Sequence, residues 1–223
     1  MKVAPIISIS RFRIGTDGNG ITTLVGFYGC PMKCKYCLNP KSIKSDTQYY
    51  ILSSGDLFKH IVKDELYYIS TGGGVTFGGG EPLLYSSFIE DVLLLGASKW
   101  NTTIETSFNI PTENITKLLG YNIHFIVDTK DMNPEIYKKY TGNSNDLVIR
   151  NLRWISENGF NDRVTIRLPL IPMFNGPKNI SQSEVELKKY GYKEFDKFDY
   201  ITNITEYKNE RKRTMQYPPN CTF

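Results

Sequence analysis

Residues 21–40 read ITTLVGFYGCPMKCKYCLNP, and this stretch governs how the rest of the chain is read. Ile21 to Gly29 is an apolar, β-branched run that predicts a strand. It leads straight into a loop carrying Cys30, Cys34 and Cys37, three of the chain's four cysteines. In α/β proteins with parallel sheets, chemistry collects in such loops at the carboxyl ends of strands.

Outward from this stretch, short apolar runs alternate with helical patterns. Residues 55–69 place Leu57, Phe58, Ile61, Val62 and Leu66 at helical spacing. VTFGG (75–79) predicts a strand, and Phe88, Ile89, Val92 and Leu93 the apolar face of a helix. TTIETS (102–107) and NIHFIVD (122–128) predict strands around a short helix over 112–120. Asn133 and Pro134 form a helix start, and residues 144–159 hold a helix with Leu147, Val148, Leu152 and Ile155 inward. RVTIRLPLI (163–171), a helix over 181–191 and a last strand within 195–204 complete about six β/α units. The expected fold is α/β with a parallel sheet, one domain spanning 1–223.

Composition restricts function. Of 223 residues, 40% are hydrophobic and 22% charged, ordinary for a globular protein. A net charge of +4 does not argue for nucleic acid, and the run KNERKR (208–213) is interrupted by Glu210 and fits a solvated helix face. The amino-terminal MKVAPIISIS lacks a signal-peptide core, and no stretch reaches the ~20 apolar residues of a membrane span. The expectation is therefore a cytosolic protein with reduced thiols, so clustered cysteines point to metal or redox chemistry rather than disulfides. The sequons at Asn101 and Asn114 then carry no glycan.

Cys-x3-Cys-x2-Cys supplies three thiolates and no near fourth. Structural zinc sites are usually closed by four ligands, and neither His60 nor His124 is close in sequence. Cys221 is either a distant fourth ligand or a free thiol. An iron–sulfur cubane held by three cysteines keeps one iron open for another ligand. Unusual polar segments recur at the other strand ends: GGGEP (78–82), ETS (105–107) and DTK (128–130). Together with the cysteine loop they would line one rim, the arrangement of an enzyme. Adjacent glycines there allow close backbone approach, and no Gly-Lys-Ser/Thr follows to make a phosphate loop.

The cysteine spacing resembles that of the radical S-adenosylmethionine (SAM) superfamily. That resemblance implies a [4Fe-4S] cluster on Cys30, Cys34 and Cys37, an open iron chelated by SAM, and a partial (β/α)6 TIM-like barrel. Gly79, Gly80 and Glu81 match the family's Gly-Gly-Glu-Pro segment, which binds the methionyl amino group. In order along Ile14 to Asn175, four stretches are similar to the glycyl-radical-enzyme activating enzymes: GTDGNGITTLVGFYGC, IETSFN, DTKDMNPEIYKKYTG and IRLPLIPMFN. The pyruvate formate-lyase activating enzyme is one such protein.

The resemblance implies roles at matching positions. Glu105 and Asp128 would accept from the ribose hydroxyls or hold a monovalent cation near the SAM carboxylate. Lys130 and Arg167 would neutralise that carboxylate, Ser107 would add a hydroxyl, and Tyr36 would pack beside the adenine. Asp17 lies in the DGNG turn; His60 and His124 are expected to be structural. The activity implied is reductive cleavage of SAM to a 5′-deoxyadenosyl radical that takes a hydrogen from a backbone glycine of a partner enzyme. A flavodoxin or ferredoxin would supply the electron, in an anaerobic host. A radical SAM enzyme modifying a small molecule or peptide is the alternative, and a zinc-stabilised binding module a third. The chain departs from the family where Leu38 replaces a histidine and where Thr-Ser-Phe (106–108) and Pro-Met-Phe-Asn (172–175) each lack a glycine. Asn203 stands near a late histidine of the family, and the end of the chain, RTMQYPPNCTF, matches nothing assigned.

Overall fold

The computed structural model describes residues 1–15 and 18–200. Asp17, Asn203, Cys221, the 208–213 run and the end of the expected last strand lie outside the described residues. The chain opens on strand β1 (Val3–Ile14), then β2 (Ile21–Phe27), β3 (Tyr50–Ser53), α1 (Ser54–Ile61) and α2 (Glu65–Thr71). Next come β4 (Gly74–Gly79), α3 (Ser86–Leu94), β5 (Asn101–Thr106), α4 (Thr112–Thr116) and β6 (Ile123–Asp128). It continues through α5 (Pro134–Thr141), α6 (Asp146–Glu157), β7 (Val164–Leu170), α7 (Pro177–Lys189) and β8 (Phe195–Asp199).

Among the described residues, eight strands form one sheet in the order β3-β1-β2-β4-β5-β6-β7-β8. The six from β2 to β8 run parallel, with helices in the crossovers. β3 and β8 are the two ends of the described sheet, which fits a partial barrel. β1 and β3 pair antiparallel at one edge, and neither was expected. Pro5 argues against a strand through residues 3–14, since proline cannot donate to a ladder. Its carbonyl is used instead, accepting the Tyr28 amide at 2.9 Å, and the register slips between Ile6 and Ser8.

Alternation along the parallel strands sorts the faces. Val25, Phe27, Phe77, Ile104, Phe125, Val127, Ile166 and Leu168 point to the helices and are fully buried against residues such as Phe88, Val92, Leu152 and Ile155. The opposite, concave face carries Gly78, Glu105, Asp128 and Arg167 near the carboxyl ends. Parallel sheets usually bury both faces in aliphatic residues; a polar concave face marks the site.

The helix expected over 55–69 is two helices. Asp64 breaks it: its side chain turns inward to take Arg11 Nε at 2.8 Å and the Thr23 hydroxyl at 3.1 Å. Tyr68 rather than Leu66 then takes the buried position.

Both family glycines that this chain lacks fall where glycine is favoured, since Phe108 has φ +55° and Met173 φ +68°. A left-handed conformation costs a residue with a Cβ about 1–2 kcal/mol. Met173 is 87% exposed, so Met173→Gly sheds that strain against roughly 0.5–1 kcal/mol of added chain entropy. The expected outcome is a melting temperature unchanged or raised by about 2–4 °C. Phe108 is fully buried against Phe125. Truncating a buried aromatic costs about 3–5 kcal/mol, so Phe108→Gly is expected to destabilise. Calorimetry of the two variants checks the opposite signs.

Candidate functional site

The strand ends enclose a cavity of about 170 Å³. Cys30, Cys34 and Cys37 enter it from the loop after β2, and Gly79, Gly80 and Glu81 from the end of β4. Glu105 and Ser107 come from β5 and the turn after it, Asp128 and Lys130 from the end of β6, and Arg167 from β7. Tyr36 is not among the lining residues. Its ring stands in an aromatic group with Phe174 at 5.8 Å and Tyr140 at 6.3 Å, and its hydroxyl lies 3.6 Å from Met173 Sδ.

The cysteine loop is fastened from two sides. Lys33 and Lys35 amides donate to the carbonyls of Thr141 and Tyr140 at 2.9 and 3.1 Å. These are carbonyls of the last turn of α5, which the left-handed Gly142 (φ +79°) ends. Asn143 Nδ2 donates to Pro31 O at 2.9 Å. The Thr-Gly pair at 141–142 thus holds the cysteine loop in place, a role that motif spacing alone did not reveal; Asn143 is a positioning residue that sequence reasoning missed. On the other side, Gly80 N and Glu81 N donate to Phe27 O and Gly29 O at 3.0 and 2.8 Å. A Cβ on Gly80 would sit 2.2 Å from Gly29 O. Its missing side chain is therefore required by the neighbouring loop as well as by any ligand.

Glu81 is 1% exposed. Oε1 accepts the Thr106 hydroxyl at 2.7 Å and the Leu83 amide at 3.3 Å; Oε2 accepts the Ser107 amide at 2.9 Å and its hydroxyl at 2.7 Å. Burial raises its carboxyl above the ordinary range, against the pull of these donors. Ser107, expected to face a ligand, is thus bound to Glu81, and the pair ties the ends of β4 and β5.

Three ion pairs gather at the strand ends, two of them between residues that line the cavity. Arg167 Nη1 meets Glu105 Oε1 at 2.8 Å and its Nε meets Asp196 Oδ2 at 3.1 Å. Lys130, in a left-handed conformation with φ +60°, pairs with Asp128 Oδ2. Burial works to lower the Lys130 pKa, but Asp128, Tyr200 and Cys34 outweigh it and the net shift is upward. Arg167 is likewise raised, by Glu105 and Asp128 against burial. Two side-chain cations therefore stand beside the carboxylates expected to flank a monovalent ion. Asp128 Oδ1 is buried with no partner among the described residues, an acceptor open to a ligand's donor.

The three thiols share the cavity, yet among the described residues no three cysteine, histidine or acidic side chains converge on a point for a single ion. A cubane attaches each thiolate to a different iron, so this donor set fits a cluster better than zinc. Burial pushes the Cys30 thiol up to about 12, with Glu81 adding to it, and the Cys34 thiol up to about 11 despite Lys130. Both are protonated at neutral pH until a metal displaces the proton.

His124 and His60 do not line the cavity. His124 Nε2 lies 2.8 Å from Thr165 Oγ1, whose hydroxyl donates to Glu194 at 2.9 Å. Nε2 therefore carries the hydrogen and Nδ1 is the atom that gains a proton. Burial holds the imidazole below its ordinary pKa, Glu194 opposing in part. A depressed pKa favours the folded state above the unfolded value of ~6.5, and that stability is lost on acidification. His124→Asn is expected to flatten the fall in melting temperature between about pH 7 and pH 5.

Comparison with known proteins places these features. The profile of the Radical SAM superfamily matches residues 24–177. The 4-hydroxyphenylacetate decarboxylase activating enzyme of Clostridioides difficile is 30% identical, covering 79% of this chain and 75% of that protein. The pyruvate formate-lyase-activating enzyme of Streptococcus mutans is 32% identical, over 77% of this chain and 67% of its own length. Among solved structures, Streptococcus suis SuiB superposes with a TM-score of 0.61 at 15% identity, over 85% of this chain but 44% of SuiB. At that identity the likeness concerns the fold alone. No helix among the described residues is long and apolar enough to cross a membrane.

Proposed function

The chain belongs to the radical SAM superfamily, in its branch of glycyl-radical-enzyme activating enzymes, and from that premise we propose that it installs a glycyl radical on a partner enzyme. The observation that carries this is the shared cavity: three thiols of the loop after β2 line it with Asp128, Lys130 and Arg167, and one buried oxygen of Asp128 lacks a donor among the described residues. When bound, the [4Fe-4S] cluster and SAM supply reductive cleavage of the C5′–S bond and, through the 5′-deoxyadenosyl radical, removal of a glycine α-hydrogen.

The chain's own part is binding and orientation. Cys30, Cys34 and Cys37 would hold the cluster as thiolate ligands. Lys130 and Arg167 neutralise the methionyl carboxylate through charged hydrogen bonds. Asp128 Oδ1 accepts from a ribose hydroxyl, and Glu105 holds Arg167 in position from the side. The methionyl ammonium, a donor, would find acceptors in the carbonyls of Gly79 and Gly80, while the Gly80 and Glu81 amides hold the cysteine loop. Glu81 acts on that ammonium as a nearby negative charge while its oxygens stay with Thr106 and Ser107. A cytosolic, anaerobic setting and a flavodoxin or ferredoxin donor complete the reading.

The test uses a glycyl radical enzyme from the same host, labelled with α-deuterated glycine and mixed anaerobically with reconstituted protein, SAM and reductant. Deuterium in the 5′-deoxyadenosine is expected. Unlabelled product alone would turn the reading toward a small-molecule or peptide substrate.

A further inference from the structure

We propose that the lysine-rich face around the cysteine loop is the docking surface for an acidic, low-potential electron-transfer protein. This deepens the function above and rests on its cluster, not on the identity of the substrate.

Lys33, Lys35, Lys41 and Lys44 are all exposed, and from Pro31 to Tyr49 the sole acidic residue is Asp46. Lys138 and Lys139, also exposed, sit in the last turn of α5. The fold joins these two groups. The Lys33 and Lys35 amides bond to the end of that helix. Lys139 Nζ lies 5.8 Å from the centre of the Phe174 ring, which packs on Tyr36 of the loop. Ser42 O accepts the Gly29 amide at 2.7 Å, bringing the Lys41 turn beside Cys30. None of the six has a carboxylate partner among the described residues, and what sets this face apart is their grouping around a loop with one acidic residue.

A positive face of this kind speeds and orients encounter with an acidic partner. Its place favours an electron donor over the substrate enzyme. Leu38 and Asn39 both line the cavity and are exposed, so one residue's thickness separates the lysine face from the thiols. Electron transfer needs that short separation and no entry, while a glycine must reach into the cavity. One electron passes from the donor's reduced cofactor to the cluster, and the donor leaves oxidised by one electron.

The experiment is stopped-flow reduction of the reconstituted protein by reduced flavodoxin, with photoreduced 5-deazariboflavin as a small uncharged reductant. The quadruple variant Lys41→Glu, Lys44→Glu, Lys138→Glu, Lys139→Glu is compared with Lys178→Glu, Lys189→Glu on α7. The expected result is a bimolecular rate with flavodoxin that falls roughly tenfold or more in the first variant and loses its salt dependence. The α7 variant and all deazariboflavin rates stay near wild type. Flavodoxin affinity for the protein, cluster-loaded or not, should fall in parallel. Unchanged flavodoxin rates, equal loss in both variants, or slower deazariboflavin reduction would each overturn the proposal. So would flavodoxin rates that hold while glycyl radical yield drops, since the face would then belong to the substrate enzyme. SAM cleavage by the wild type with deazariboflavin reports separately on the cluster reading.

Discussion

Cys34→Ala protein, reconstituted anaerobically with iron and sulfide, is expected to stay folded and to make no detectable 5′-deoxyadenosine from SAM. Cys34 is half-buried against the core, so its truncation costs about 1 kcal/mol in packing, or roughly 2–4 °C in melting temperature. The loop keeps its fastening, because that runs through the Lys33 and Lys35 amides and Asn143 and not through the thiol. The cluster has no replacement ligand: among the described residues no further cysteine lies near, and Glu81 is committed to its four donors. A small stability change beside total loss of turnover would mark the cysteines as cofactor ligands. Retained turnover would remove them from the mechanism. Iron content and SAM cleavage on the same sample separate the outcomes, and Cys30→Ala and Cys37→Ala should behave alike.

Glu81→Gln is expected to cost about 2–3 kcal/mol, the price of leaving a buried donor facing a donor. The substitution keeps shape and removes the charge, so volume is not at issue. The hydroxyls of Thr106 and Ser107 can rotate to accept from an amide NH2. The backbone amides of Leu83 and Ser107 cannot, and they sit on opposite oxygens of the carboxylate. Either orientation of the glutamine amide therefore sets its NH2 against one of them. Urea unfolding should show the loss, and SAM affinity should fall with it because the ends of β4 and β5 move apart. Unchanged stability would mean that this carboxylate does not tie the strands.

The alternation of β and α was legible because most helix-facing strand residues are apolar and pack on apolar helix faces; Phe125 and Val127 against Ile115 and Ile155 are examples, Thr23 and Thr102 exceptions. The edge strands were not. β1 contains Pro5 and a register slip, and β3 is four residues long with Tyr50 and Ile51 exposed, so neither has a clean period-two pattern. The break at Asp64 was hidden because its partner, Arg11, is distant in sequence. At the rim, Lys130 and Arg167 stood out by charge and position. Asn143 did not, since an asparagine after a helix end reads as a cap, and its bond to Pro31 depends on the tertiary approach of α5 to the loop. The left-handed Phe108 and Met173 became visible only against the family's glycines. Among the described residues, Met173 gains a weak contact with Tyr36 against its strain.

Delivery of a radical from this cavity to a protein glycine is tested most directly by electron paramagnetic resonance. Anaerobic lysate of the native host, desalted and given reconstituted protein, SAM and a strong reductant, should develop a glycyl-type doublet. The doublet should be absent with Cys30→Ala, Cys34→Ala or Cys37→Ala protein. A lysate that yields 5′-deoxyadenosine yet no organic radical would contradict it.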